Sequence, residues 1–152
     1  MMGTASHSSN SSLRLLVFTV GGVKLAADAE QICSMLAYDQ DDDCDITYWL
    51  HEMLSFGNRE VVFRSPEILT VSLQETIYRI VIDQPEDIIY IAMNRIQPLP
   101  ALVEPFSQKK GLWGAVALDE QIILLIDFLK LISITRNTGP NRFCMREKPS
   151  LQ

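Results

Sequence analysis

The sequence predicts a mainly β fold with one marked amphipathic helix, and three stretches carry that expectation. Residues 111–129 hold two nearly continuous apolar runs on either side of Asp119-Glu120, the pattern of a hairpin whose strands are covered on both faces. Residues 13–20 and 23–27 flank Gly21-Gly22, a pair with the backbone freedom that a two-residue turn demands. Residues 46–56 differ: Ile46, Trp49, Leu50, Met53 and Leu54 form the i, i+3, i+4, i+7, i+8 stripe of a helix, with Asp45 to cap it and Gly57 to end it.

In chain order, residues 1–12 are rich in Ser, Asn and Thr and are expected to be disordered; they have neither the basic nor the apolar region of a signal peptide. After the first hairpin, Asp28 can cap residues 29–36, where Ile32, Met35 and Leu36 stand at helical spacing, although a brief turn into a strand fits equally. Residues 39–45 are an acidic run, Asp-Gln-Asp-Asp-Asp-Cys-Asp, suited to a solvated loop. Past the helix, residues 59–64 can form a strand that Ser65-Pro66 breaks. Residues 68–73 alternate apolar and hydroxyl side chains, and 77–83 pairs with them across 74–76. Pro85 ends that strand, 88–92 begins another, and Pro98, Pro100 and Pro105 keep the following stretch extended. After the last hairpin Asp127 can cap a short helical turn over 128–132.

With 152 residues, 47% of them hydrophobic, the chain suits one packed domain. Asp127 and Lys130 interrupt the longest apolar stretch, so no segment inserts in a membrane. The net charge of −6 disfavours a phosphate backbone as partner, which argues against nucleic acid. Charge is unevenly spread: residues 134–152 carry Arg136, Arg142, Arg146, Lys148 and Glu147, a net of +3 that leaves −9 on residues 1–133. This basic end reads as a flexible, solvated tail. Cys33, Cys44 and Cys144 are three widely spaced thiols with no metal or redox motif, consistent with a cytoplasmic protein.

No side-chain constellation points to catalysis, a metal or a cofactor. Counting from Asp41, the carboxylates Asp41, Asp43, Asp45 and Glu52 fall at positions 1, 3, 5 and 12 of a calcium loop. Position 6, where the sharp turn requires Gly, is Ile46, so the solvated loop is the better reading. His51 beside Glu52 lacks a nucleophile and an orienting group. Trp113, between Gly111 and Gly114, suits either a core cap or an exposed partner anchor.

A strand ending in Ile82-Asp83, a proline-bearing polar segment, Gly114-Ala115-Val116, the hairpin and Leu124-Leu125-Ile126-Asp127-Phe128-Leu129 together resemble the C-terminal half of CheW-like domains. Residues 49–57, Trp-Leu-His-Glu-Met-Leu-Ser-Phe-Gly, resemble the helix that closes the first half of the same family. The resemblance implies two small, SH3-like, five-stranded β-barrel subdomains within residues 13–133, the first half over 13–57 and the second over 58–133. It implies a non-enzymatic adaptor of a bacterial chemotaxis-type signalling system whose partners are a histidine kinase, a chemoreceptor-like protein, or both. Three departures stand out. The family's Asn-Leu-Arg-Gly segment has no counterpart, the acidic position after the second strand is Ser34, and the apolar position two beyond Asp83 is Pro85. The first barrel is therefore abbreviated, and a second copy or a partner's strand could complete it, as could residues 59–64. The expected contact surface is an apolar groove between the halves, with Ile32, Met35, Asp83 and Trp113 as the partner-binding residues. The alternatives are a degenerate, dimeric regulatory subunit that no longer couples receptor to kinase and, at lower weight, a small enzyme or calcium-binding module.

Overall fold

The computed structural model describes residues 11–38, 46–54, 61–99 and 111–138. Three tight hairpins supply most of its strands: β1 (Ser12–Val20) with β2 (Val23–Asp28), β5 (Pro66–Leu73) with β6 (Thr76–Asp83), and β8 (Leu112–Leu118) with β9 (Gln121–Ile126). Val20 pairs with Val23, Leu73 with Thr76 and Leu118 with Gln121, so each loop has two residues. All six loop residues have positive φ, between 51° and 84°: Gly21 61°, Gly22 84°, Gln74 53°, Glu75 68°, Asp119 51° and Glu120 64°. That geometry matches the right-handed twist of the strands but strains a residue with a Cβ by about 1–2 kcal/mol. Glu120→Gly is therefore expected to stabilise the protein by roughly 0.5–1 kcal/mol, read as a higher urea midpoint.

The remaining strands are β3 (Ser34–Ala37), β4 (Ile46–Trp49) and β7 (Pro85–Ala92). They complete a five-stranded sheet ordered β7-β1-β2-β9-β8 and a four-stranded sheet ordered β3-β5-β6-β4. The first sheet joins the two ends of the chain, because β2 runs parallel to β9 with Leu25 opposite Leu124 and Ala27 opposite Ile126. The sheets therefore do not follow a division of the chain near residue 57: the middle strands form one and the outer strands the other. A two-way bond between Gln97 and Ala115, N to O at 2.9 Å each way, draws the segment after β7 toward β8 and closes the first sheet into a barrel. Pro85 opens β7 rather than merely ending β6, with Gln84 alone between them at φ 47°.

The helices differ from the sequence expectation. Residues 46–49 form β4, parallel to β6, and only the single-turn α1 (Leu50–Met53) follows. Trp49, Leu50 and Leu54 of the predicted stripe are buried all the same. Ile-Thr-Tyr-Trp is rich in β-branched and aromatic residues, and a ladder along β6 outweighs a periodicity that served either structure. Residues 55 and 56 lie outside the described residues. The longer helix is α2 (Phe128–Thr138), which extends past the expected turn. Its Arg136 donates from Nη1 to the Tyr78 hydroxyl at 2.8 Å and from Nη2 to Gln74 Oε1 at 2.9 Å, so the first residues of the supposed tail are anchored. Residues 29–36 become a 3-10 turn (Ala29–Gln31) and then β3.

Two apolar clusters follow from the pleat. Leu15, Val17 and Ala26 point into the first barrel with Ile91, Val116, Ile123 and Leu125. Leu16, Phe18, Val20, Leu25 and Ala27, on the opposite face of the same two strands, pack with Ile68, Leu69, Val81, Phe128 and Ile132. Both faces of β1 are thus buried, as an apolar run without alternation requires.

Candidate interaction surface

The seam between the sheets is a filled core. Phe18 stacks on Phe128 with ring centroids 6.2 Å apart, and Leu16, Leu131 and Ile132 are buried beside them. A clasp of side chains fixes the same junction. Gln31 donates from Nε2 to Asp127 Oδ1 at 3.0 Å, while its Oε1 accepts from the Phe128 amide at 2.9 Å. Asp127 Oδ1 also accepts from the Lys130 amide at 3.1 Å, the N-terminal capping bond of α2. At these residues the expected groove is occupied by core side chains, which leaves only its rims exposed.

One rim lies on β7. In the β1–β7 pair Ile88 stands opposite Leu16 and Tyr90 opposite Arg14. Facing pairs share a side of the sheet, so these residues continue the face on which Leu16 is buried. Tyr90 is nonetheless 68% exposed and Ile88 46%. Sequence reading missed this pair; the signal was the alternation of Ile88 and Tyr90 with Ile89 and Ile91, masked by a run that is apolar throughout. A second rim lies on β9 and β8, where Ile122 is 63% exposed and Trp113 43%.

The third rim is β3. Its four residues are all exposed, including Met35 and Leu36, and β5 is its only neighbour among the described strands. Residues 61–65 do not fill the place beside it as a strand; only Phe63 makes an isolated bridge, and 59–60 lie outside the described residues.

The four residues singled out from sequence do not form one surface. Ile32 and Met35 sit together, Ile32 half-buried against the core and Met35 exposed on β3. Trp113 belongs to the other sheet. Asp83 is buried, and its carboxylate accepts from the Ser65 amide at 2.6 Å and from the Arg64 amide at 3.1 and 3.2 Å. It holds the approach to β5 against the end of β6, where Pro66 pairs with Asp83.

Inside the four-stranded sheet Trp49 meets Tyr38 and Phe63 edge-on, at centroid distances of 5.3 and 5.0 Å, and His51 packs on Phe63 at 5.3 Å. His51 Nδ1 is buried without a hydrogen-bond partner among the described residues. Burial holds its pKa below the ordinary 6.5. The unfolded chain then takes up a proton at higher pH than the folded one, so stability is lost as pH falls from about 6.5 toward the lower folded value. Urea midpoints between pH 7.5 and 5.5, taken at about half-unit steps, should fall for the wild type and flatten for His51→Phe.

Among the described residues no group of three or more His, Cys, Asp or Glu could hold a metal ion, and no helix is long and apolar enough to cross a membrane. The acidic run 39–45, with its calcium-loop spacing, lies outside the described residues. No family model matches the sequence, and no curated protein matches it. Among solved structures, the chain is similar to the scaffolding protein CheW from Thermoanaerobacter tengcongensis, with a TM-score of 0.58 at 16% identity. The match covers 78% of this chain and 92% of that one. At that identity the likeness shows the fold: a mainly β, two-sheet, CheW-like architecture.

Proposed function

We propose that this chain is a non-enzymatic adaptor that acts through protein–protein contacts in a chemotaxis-type signalling system, with a histidine kinase or a chemoreceptor-like protein as partner. The observation that carries the reading is a CheW-like fold that leaves large apolar side chains exposed on β3, β7, β8 and β9. Such residues suit docking, since binding energy concentrates in apolar and aromatic anchors that a partner can desolvate. Ile32, Met35 and Trp113 are the proposed contact residues, to which the geometry adds Ile88 and Tyr90; Asp83 would act by holding Arg64 and Ser65 in place.

Co-purification of the full chain with the histidine kinases and chemoreceptor cytoplasmic fragments of the same genome tests the reading. A stable complex is expected, weakened about tenfold or more by Met35→Glu or Tyr90→Glu while circular dichroism stays unchanged. Failure of every kinase and receptor to associate would leave the reading without support. A concentration-dependent dimer in that same sample would favour the regulatory-subunit alternative.

A further inference from the structure

We propose that β3 is a strand-accepting edge for an extended cationic peptide segment of a partner; the inference rests on the adaptor reading and specifies how one contact is made. The first observation is the edge itself. β3 pairs with β5 on one side, Ser34 opposite Thr70 through Ala37 opposite Glu67, with no register shift, and no described strand lies on its other side. A strand paired on one side leaves alternate N–H and C=O groups directed outward, a template for another strand.

The usual protections are missing from Ser34-Met35-Leu36-Ala37. It has no lysine, no proline and no bulge, and Met35 and Leu36 are 46% and 45% exposed. Because successive side chains alternate, these two residues offer one apolar contact on each face of an added strand. Ser34 is occupied differently: its hydroxyl lies 2.6 Å from that of Thr70, a side-chain hydrogen bond that adds to the β3–β5 ladder.

The second observation selects the occupant. The charged side chains on the turn before β3, and on the β5 residues paired with it, are Asp28, Glu30 and Glu67, all acidic. A second copy would pair antiparallel and bring these acidic groups near their counterparts on a chain of net charge −6, which repels. A partner segment with apolar residues at its centre and Lys or Arg at its ends meets both demands. Main-chain bonds then supply affinity, and the flanking charges supply direction and choice of partner.

The test is an NMR titration of the full-length protein with the synthetic peptide Lys-Arg-Val-Thr-Val-Thr-Arg-Lys. Amide shifts confined to residues 34–37 and 67–70 are expected, with a Kd on the order of 10–100 μM. Methylating alternate backbone nitrogens of the peptide should weaken binding about tenfold or more, because it removes ladder donors and leaves the charge intact. Exchanging the basic ends for Glu, or substituting Glu30→Gln with Glu67→Gln in the protein, should also weaken it. No shift up to about 1 mM peptide, or shifts centred elsewhere, would overturn the proposal. So would β3 resonances that move with protein concentration alone, since they would assign the edge to a second copy. Should the peptide fail while a kinase or receptor still binds, the strand-addition idea falls and the adaptor reading survives; the reverse result separates them the other way.

Discussion

Replacing Trp49 with alanine is expected to destabilise the protein by about 3–5 kcal/mol, a large part of what a domain of this size has. Trp49 is fully buried, and its ring is the common neighbour of Tyr38, Phe63 and His51. It also ends β4, where it pairs with Val81. Truncation removes the transfer term of an indole and leaves a cavity lined by the rings of Tyr38, Phe63 and His51. Urea unfolding followed by far-UV circular dichroism reads the effect. Trp113→Ala is the internal control: exposed on β8, it should shift stability by less than about 0.5 kcal/mol. Equal losses from the two substitutions would mean that the aromatic cluster does not hold the four-stranded sheet.

Asp83→Ala is the second large effect, at about 2–4 kcal/mol. The carboxylate satisfies two backbone donors, Arg64 and Ser65, and lies within 3.4 Å of Gln84 Nε2. Alanine removes the acceptor of both amides in part-buried bonds, and hydrogen bonds to a charged group contribute about 1.5–3 kcal/mol each before solvent replaces part of the loss. Asp83→Asn keeps one acceptor and should lose less. The pair of variants separates two roles. A positioning residue loses stability in the order Ala, then Asn, with partner binding following the folded fraction. A contact residue would lose binding with stability unchanged, a result that 1% exposure argues against.

Much of the β architecture was legible because local chemistry and tertiary demand agree. Gly21-Gly22 and Asp119-Glu120 mark turns, and the Ile68 and Ile77 strands pair across a tight loop as their patterns require. Residues 46–49 were misread because isoleucine, tyrosine and tryptophan satisfy a helical stripe and a buried strand alike. The site was less legible still. Ile88 and Tyr90 are hidden in a stretch where every neighbour is apolar, and Asp83 looked available only because a sequence shows charge without showing what surrounds it.

The sequence by itself determined the mainly β class, the positions of three hairpins and the burial of both faces of β1, since these depend on turn residues and on apolar patterns within a few positions. Only the tertiary structure decided which strands share a sheet. Pairing β2 with β9 joins residues about a hundred positions apart, and nothing local distinguishes one apolar strand from another as partner. The same holds for the clasp of Gln31 on Asp127 and for the open edge of β3: each is a property of what lies alongside, which no single stretch of chain contains.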